Sequence, residues 1–337
     1  MKRLDLRSDT VTLPCRAMRR AMADAEVGDD VYGEDPSIER LQRRTAELLG
    51  KPASLFFPSG SMANQAALRA HTRPGDVVLA SRDCHLLRYE TGAAAALSGL
   101  QVETLGAEGA FDGDDVRANL RASSDHTAPT TVLAVENTHN AAGGRVFPPA
   151  RLESAVAAAR EAGLALHLDG ARLWNAAIAS GRSPAELAAP FDSVSTCLSK
   201  GLGAPVGSLV SGSAKLAARL RRIRKMLGGG MRQAGVLAAA GLYALSHNRQ
   251  RLAEDHANAR RLAEGLAALG FAVEAPPQTN IVMFRVKDQA AFARACAERA
   301  LLINAFAPGR FRAVLHLNIS AADTAEALDR LSTITAR

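Results

Sequence analysis

One lysine stands in a run of small residues, "SVSTCLSKGLGAPVGS", at positions 193–208. Lys200 follows an apolar run and would lie at the exit of a strand, where loss of solvent lets an amine shed its proton and form a Schiff base with a carbonyl. The glycines that follow would let a flat ligand approach the backbone closely. Their spacing, G-x-G-x-x-x-G with Pro205 inside, does not fit a dinucleotide-binding turn. The alternative is a surface lysine in a flexible loop.

An aspartate stands at the exit of a second apolar run. Asp169 ends the segment "LALHLD", ahead of Lys200 in the chain. A buried carboxylate needs a cationic or hydrogen-bonding partner. If that partner is a protonated pyridine nitrogen, the ring becomes an electron sink, as the chemistry of pyridoxal phosphate requires. A helix N-cap or a local pair with Arg172 is the alternative.

Two further segments could serve such a cofactor. The turn "PSGS" at positions 58–61 precedes an apolar helix, whose free N–H groups and dipole would bind an anion, although the same residues also make an ordinary turn and N-cap. His85 follows the strand-like "DVVLA" and could lie over a cofactor ring or handle protons near neutral pH. A lone histidine is otherwise a structural residue, so His85 gains its meaning from the other three sites.

The elements that would position these residues alternate between apolar strands and helices of 10 to 15 residues. This pattern predicts an α/β fold with a mostly parallel sheet covered on both faces, and ligands of such sheets bind outside the carboxyl ends of the strands. After about residue 245 the pattern changes to a long charged helix, "NRQRLAEDHANARRLAEGLAALG" (248–270), followed by mixed short elements and a final helix from about Thr324. We therefore predict a large domain over residues 1–245, including an N-terminal arm, and a small C-terminal α+β domain over residues 246–337.

Composition argues against several other classes of protein. The chain has 337 residues, 47% of them hydrophobic and 22% charged, which is enough for a large core. It has no apolar run of membrane-spanning length and no secretory signal at its start, so we expect a soluble, cytoplasmic protein. The four cysteines are far apart and form no CxxC pair, which favours reduced thiols and predicts no metal site.

A net charge of +7 raises the possibility of nucleic-acid binding, but only "RLRRIRK" at positions 219–225 is densely basic. With 4% aromatic residues and no recognisable nucleic-acid module, the stacking platform for bases is missing. We interpret the cluster as the solvated face of a helix or as part of a subunit contact.

Motifs along nearly the whole chain resemble the low-specificity L-threonine aldolases, pyridoxal-phosphate-dependent lyases of the aspartate-aminotransferase-like fold (fold type I). The matching segments are "LRSDTVT" (6–12), "VGDDVYGEDP" (27–36), "PSGSMANQ" (58–65), "ENTHN" (136–140), "HLDGARLWNA" (167–176), "CLSKGLGAPVGS" (197–208) and "RKMLGGGMRQAG" (224–235). Other fold type I enzymes share the aspartate, the lysine and the phosphate turn but not "RSDTVT" or "GGGMRQ". The chain departs from the family in Ser61, where threonine is common, and in "LHLNIS", where "THLDIS" is commoner.

The resemblance implies roles for individual residues toward pyridoxal phosphate. Lys200 would carry the cofactor as a Schiff base, Asp169 would pair with the pyridine nitrogen, and His85 would stack on the ring. The phosphate would be held by three residues of the turn, Ser59, Gly60 and Ser61.

For the substrate, the resemblance implies a clamp on the carboxylate. Arg172 matches the family arginine near the cofactor hydroxyl and the substrate carboxylate, and Ser8 and Arg312 match the other carboxylate contacts. Bidentate pairing gives a physical reason for arginine at these positions. Tyr89 and Glu90, close to His85 in sequence, are further candidates for the pocket.

Family members share their active sites between subunits, and the resemblance implies a homotetramer. Lys225 and Arg232 could then reach a neighbour's phosphate. His126 corresponds by its spacing from "ENTHN" to a family histidine near the substrate hydroxyl, and His139 is its rival. Either His85 or His126 would be the base.

The implied reaction cleaves the Cα–Cβ bond of L-threonine, L-allo-threonine and related β-hydroxy-α-amino acids by a retro-aldol mechanism, giving glycine and an aldehyde. Another fold type I activity, such as transamination or β-elimination, is the nearest alternative. It would give a keto acid or ammonia instead.

Overall fold

The computed structural model of the chain describes residues 2–334 and contains thirteen strands and fourteen helices in that range. The strands are β1 (Leu4–Asp5), β2 (Ala53–Phe57), β3 (Val77–Ser81), β4 (Gln101–Leu105), β5 (Thr130–Glu136), β6 (Ala165–Gly170), β7 (Ser193–Cys197), β8 (Ser208–Gly212), β9 (Ala272–Val273), β10 (Ile281–Arg285), β11 (Leu301–Leu302), β12 (Asn304–Ala307) and β13 (Arg310–Val314). The helices are α1 (Arg16–Ala23), α2 (Pro36–Leu49), α3 (Gly60–His71), α4 (His85–Arg88), α5 (Ala93–Ser98), α6 (Gly113–Ala118), α7 (Pro149–Glu161), α8 (Leu173–Ser180), α9 (Pro184–Ala188), α10 (Ala214–Met226), α11 (Gly235–His247), α12 (Leu252–Ala268), α13 (Gln289–Glu298) and α14 (Ala321–Ser332).

The largest sheet has seven strands in the order β2-β8-β7-β6-β5-β3-β4. Only β8 runs antiparallel to its neighbours, so the predicted α/β fold with a mostly parallel sheet is confirmed. In the register, Glu136 of β5 lies opposite Asp169 of β6, and Asp169 lies opposite Ser195 of β7. The carboxyl ends of these three strands therefore meet at one edge of the sheet.

Helices cover both faces of this sheet. On β2, Phe56 packs into the main core with Leu41, whereas Leu55 and Phe57 face a second cluster that contains Leu220 of α10. Strands buried on both faces need apolar residues at successive positions, which explains why the sequence shows unbroken apolar runs instead of alternation.

A smaller unit follows α11. It contains an antiparallel sheet of order β12-β13-β10-β9, flanked by α12, α13 and α14, and has its own core. The N-terminal residues Leu4 and Leu6 are fully buried in this core, and β1 pairs with β11. The small C-terminal α+β part is thus present and is completed by the N-terminal arm. The domain boundary at residues 245 and 246 stays a prediction.

Several predicted bounds in this region differ from the structure. The long charged helix begins at Leu252 and not near residue 248, because the chain turns at 248–251. The last helix begins before Thr324, since the Ser320 hydroxyl accepts the Asp323 N–H and the Asp323 carboxylate accepts the Ser320 N–H.

The interpretation of "RLRRIRK" as a solvated helix face is wrong for one of its basic residues. Arg224 of α10 is buried, and its guanidinium pairs with the buried Asp30 at 2.6 Å and donates to the Phe56 carbonyl at 2.8 Å. The arginine is therefore a structural link between the N-terminal segment, β2 and α10.

Two other expectations concern the chain as a whole. The four cysteines are free thiols, as predicted. Within residues 2–334, no helix has the length and the apolar character needed to cross a membrane.

Candidate active site

A cleft opens at the carboxyl edge of the large sheet, above β6 and β7 and beside the start of α3. It brings together Lys200, Asp169, His85 and Gly60, four of the residues singled out in the sequence. The other residues that line it are Asn64, Ala171, Ser195, Thr196, Cys197 and Ser208. Lys200 lies just beyond the end of β7 and lines the cleft. The glycines after it do not line the cleft, so the expectation that they let a ligand approach the backbone is not met: a side chain at Gly201 or Gly203 would meet Leu252 or Leu317 instead.

Asp169 lies at the floor of this cleft and is 2% exposed. Its carboxylate accepts hydrogen bonds from the Asn64 amide at 2.8 Å and from the Ala171 N–H at 3.1 Å. Burial alone would raise the pKa of Asp169, but the positive charges of His85 and Lys200 outweigh it and lower the pKa. The alternative of a local pair with Arg172 is wrong, because Arg172 pairs with Asp9 instead.

The turn before α3 leaves hydrogen-bond donors free. The Ser59 hydroxyl caps the helix by accepting the Met62 N–H at 3.2 Å, while the N–H groups of Gly60 and Ser61 lie in the first turn, where a helix offers no acceptor. The Ser208 hydroxyl lines the same cleft, is buried, and has no hydrogen-bond partner within the described chain. Buried polar groups are normally paired, so this donor set fits an anion such as a phosphate.

His85 is the first residue of α4 and is held at both its backbone and its ring. Its N–H donates to the Glu136 carboxylate at 2.6 Å, and its Nδ1 lies 2.9 Å from Glu90 Oε1. Because a carboxylate only accepts, Nδ1 carries the proton and Nε2 is left for another partner. Burial alone would lower the pKa of His85, but the Glu90 hydrogen bond and the Asp169 charge raise it. The ring of Tyr89 is 5.5 Å from that of His85, centroid to centroid.

Two arginines converge near the N-terminal arm. Arg172 is buried and forms two 2.7 Å hydrogen bonds to the carboxylate of Asp9, which is fully buried. Arg312 donates to Asn140 Oδ1 at 2.7 Å, and its buried Nε has no partner in the described part of the chain. Ser8 precedes Asp9 and caps a short 3-10 turn. Arg312 is therefore the arginine with a donor to spare, whereas most donors of Arg172 are already occupied.

The side chains of His85, Glu90 and Asp169 bring potential metal ligands within 4.8 Å of one another. Side-chain amides already donate hydrogen bonds to the two carboxylates of this group. Asn64 donates to both Glu90 and Asp169, and Gln65 donates to Glu90 at 2.6 Å. These hydrogen bonds account for the buried carboxylates without a cation. The predicted absence of a metal stays a prediction.

Comparison with known proteins gives the family. The sequence matches the beta-eliminating lyase family over residues 5–289. It is 45% identical over 327 residues to the low specificity L-threonine aldolase of Escherichia coli strain K12, covering 96% of this chain and 96% of that protein. The chain belongs to the low-specificity L-threonine aldolase family. Low-specificity L-threonine aldolase 1 of Arabidopsis thaliana is 40% identical, over 96% of this chain and 94% of its own.

The fold agrees with this family assignment. The solved structure of the threonine aldolase of Leishmania major superposes with a TM-score of 0.84 at 23% identity, over 98% of this chain and 100% of that one. The confirmed resemblance accounts for the motif set that runs from "LRSDTVT" to "RKMLGGGMRQAG".

Three family positions lie away from the cleft of their own chain. His126 is exposed in the loop before β5, at the amino end of the strand, whereas the cleft lies at the carboxyl end. Lys225 lies on α10 beside Gly230, and the exposed Arg232 pairs with Asp29 at 3.2 Å. Their roles stay predictions, and each would require a neighbouring subunit.

His139, the rival of His126, is buried and accepts the Ala142 N–H through Nδ1 at 3.2 Å. It forms part of the turn after β5 and does not line the cleft that contains Lys200.

Sequence reasoning missed the residues that hold the predicted ones in place. Asp9 fixes Arg172, Asn64 bridges Asp169 and Glu90, and Glu136 bridges His85 to the N–H of Asn140. Asp9, Asn64 and Glu136 lie inside the quoted motifs "LRSDTVT", "PSGSMANQ" and "ENTHN". Their place in these motifs is the signal in the sequence that points to them, but it does not show which side chain each of them binds.

Proposed function

We propose that this protein is a pyridoxal-phosphate-dependent aldolase that cleaves the Cα–Cβ bond of L-threonine, L-allo-threonine and related β-hydroxy-α-amino acids to glycine and an aldehyde. The observation that carries the proposal is the meeting of Lys200 and Asp169 in one cleft with an anion site, in a chain 45% identical to a low specificity L-threonine aldolase.

Each part of the cleft has a partner on the cofactor. The amine of Lys200 would bond the aldehyde carbon, the Asp169 carboxylate would accept the pyridine N–H, and the ring of His85 would lie against the cofactor face. The phosphate would be held at the start of α3 by Ser59, Gly60 and Ser61, with the hydroxyl of Ser208 as a further donor. When bound, pyridoxal phosphate supplies an electron-withdrawing ring that stabilises the charge left on Cα.

The arginines would orient the substrate. Arg312 offers its unpaired Nε to the carboxylate, and Arg172 and Ser8 would complete the clamp. Held this way, the substrate presents one bond at Cα perpendicular to the ring, and only that bond is activated. The Asp9–Arg172 pair fixes the position of one of these groups before the substrate arrives.

A base must take the proton of the β-hydroxyl group as the aldehyde leaves. His85 is a candidate because its Nδ1 is held by Glu90 and its Nε2 is free to act. His126 is the other candidate and would act from a neighbouring subunit. Tyr89 and Glu90 would border the substrate pocket.

The proposed assembly is a homotetramer with active sites shared between subunits, located in the cytoplasm. Lys225 and Arg232 would then contact the phosphate in a neighbour. A molecular mass from light scattering, combined with the Lys225→Ala variant, tests this part: loss of cofactor affinity without loss of assembly is expected. A monomer with full affinity would contradict it.

Product analysis tests the reaction. Purified protein with pyridoxal phosphate is incubated with L-threonine, L-allo-threonine and phenylserine, and we expect glycine and the matching aldehyde in equal amounts. Keto acid and ammonia from threonine would instead indicate β-elimination. The Lys200→Ala variant is the matched control and should form neither product.

A further inference from the structure

A chain of hydrogen bonds leads from Asp169 into the interior of the large sheet. Asn64 Nδ2 donates to Asp169 Oδ2 at 2.8 Å, and Asn64 Oδ1 lies 3.3 Å from His167 Nε2. His167 Nδ1 lies 2.8 Å from the Ser193 hydroxyl, which lies 2.9 Å from His71 Nε2. The strand register places these groups next to one another. His167 lies opposite Ser193, and Asp169 lies opposite Ser195. Asp169 is two residues after His167, so both side chains lie on the same face of the sheet.

The donors in this chain can be assigned from Asn64 outward. Its amide nitrogen lies 2.9 Å from Glu90 Oε1 as well as 2.8 Å from Asp169 Oδ2. Ionised carboxylates only accept hydrogen bonds, so the NH2 group must face them and Asn64 Oδ1 must be an acceptor. It receives the Ser195 hydroxyl at 2.7 Å and, on its other side, His167 Nε2.

The tautomer of His167 follows from this assignment. Nε2 must carry a proton to donate to Asn64, and burial lowers the pKa of this fully buried histidine to about 4, so the ring is neutral near pH 7. Nδ1 is then an acceptor and receives the Ser193 O–H. Ser193 in turn accepts from His71 Nε2. All the bonds in the chain point in one direction, toward the carboxylate.

We propose that Asn64 and His167 are positioning residues that hold Asp169 ionised and in one orientation for the ring nitrogen of the cofactor. The inference rests on the proposed function. If His167 carried its proton on Nδ1, the lone pair of Nε2 would face Asn64 Oδ1. Turning the Asn64 amide to relieve this would direct its carbonyl at two carboxylates. One of them would then take up a proton, and a protonated Asp169 cannot pair with a protonated pyridine.

Asn64 also donates to a second carboxylate, that of Glu90. The Glu90 oxygen that it contacts is the one that holds His85 Nδ1. One amide would therefore position both the acceptor proposed for the ring nitrogen and, through Glu90, the histidine proposed to lie against the ring.

Two substitutions at one position separate hydrogen bonding from packing. The His167→Gln variant keeps a donor for Asn64 and an acceptor for Ser193, whereas the His167→Phe variant keeps neither. We expect the dissociation constant for pyridoxal phosphate, measured by absorbance titration, to rise about tenfold in the Phe variant, the usual scale for an unpaired buried polar group. We expect it to stay near the wild-type value in the Gln variant.

Equal affinity of wild type and the Phe variant would overturn the proposal. So would equal weakening in both variants, because it would assign His167 a packing role only. Thermal melting of both apoproteins checks that they fold. If the Phe variant does not fold, Ser193→Ala replaces it: this variant removes the donor to Nδ1, should admit the Nδ1–H tautomer and should weaken cofactor binding. Unchanged tautomer and affinity in Ser193→Ala would overturn the proposal.

The tautomer itself is measurable without cofactor. In apoprotein labelled with 15N-histidine, the His167 signals, assigned by their loss in His167→Gln, should show a neutral ring with the proton on Nε2 at pH 7. A proton on Nδ1, or a charged ring, would overturn the chain while leaving the proposed function intact. Wild-type protein that binds no pyridoxal phosphate would overturn the proposed function instead.

Discussion

Asp9→Asn should destabilise the protein strongly, although the change is nearly isosteric. Asp9 is fully buried, and its carboxylate makes two 2.7 Å hydrogen bonds to Arg172, which is 6% exposed. It also accepts from Asn280 of the small unit at 3.3 Å. The substitution leaves the Arg172 guanidinium buried without a counter-charge. Breaking a buried pair in this way costs about 3–5 kcal/mol of unfolding free energy.

The pH dependence of this loss has a definite sign. Burial would raise the pKa of Asp9, but the charge and hydrogen bonds of Arg172 dominate and hold the pKa far below its ordinary value. A carboxyl group whose pKa is lowered by folding adds stability above its unfolded pKa of about 4 and loses it as the pH falls toward the folded value. The difference between wild type and Asp9→Asn should therefore be full at pH 7 and shrink below about pH 4.

Urea unfolding followed by the fluorescence of Trp174 measures this difference. Trp174 is the only tryptophan, is buried, and lies in α8 two residues after Arg172. Wild type and variant are compared at one protein concentration, because assembly shifts the midpoint. Asp114→Asn, which removes one of the two exposed carboxylate partners of Arg117, is the matched control and should leave the midpoint unchanged. A midpoint for Asp9→Asn as high as that of the control would refute the reasoning.

Three further predictions concern other groups. Arg312→Lys should raise KM for L-threonine about tenfold with a smaller change in kcat, because an ammonium cannot pair bidentately with a carboxylate; steady-state kinetics showing an unchanged KM would exclude the clamp. Ser208→Ala should weaken the binding of pyridoxal phosphate by about tenfold or more in an absorbance titration, the scale of one hydrogen bond to a charged group, and an unchanged affinity would remove Ser208 from the phosphate site. Burial raises the pKa of Asp255 to about 7, against the opposing charge of Arg251. Between about pH 4 and pH 7, the unfolding free energy of the wild type should therefore fall relative to that of Asp255→Asn, by up to about 1.4 kcal/mol per pH unit, and it should fall no further above pH 7. Melting curves whose separation does not change with pH would contradict this.

The sequence was sufficient to predict the main parts of the cleft because each lies at the carboxyl end of a strand or just after it. In a parallel sheet the carboxyl ends of neighbouring strands meet, so Asp169 near the end of β6 and Lys200 after β7 had to come close. The turn at residues 59–61 and His85 follow β2 and β3 in the same way. The fold class rested on the same alternation of strands and helices and was confirmed.

Partners from distant segments could not be predicted in this way. Arg224 belongs to a basic run whose composition predicts a solvent-exposed helix face. Its partner Asp30 is distant in the sequence and pairs with Arg224 only in the folded chain. Asp9 reaches Arg172 because the N-terminal arm joins the small unit and then crosses to the large sheet. The role of His167 depends on strand register, which a single sequence leaves open.

The predicted starts of two helices were wrong for a different reason. The start of α14 is marked in the sequence by the serine and aspartate of a capping box, Ser320 and Asp323, which put it ahead of Thr324. The turn before α12, by contrast, contains charged residues that would also suit a helix.

Covalent trapping tests the central claim most directly. Wild-type protein is incubated with pyridoxal phosphate, reduced with borohydride, digested and analysed by mass spectrometry, and Lys200→Ala is treated in parallel. The account predicts one modified peptide that contains Lys200 and no stable modification in the variant. Modification at another lysine in both proteins, or at none in the wild type, would contradict it.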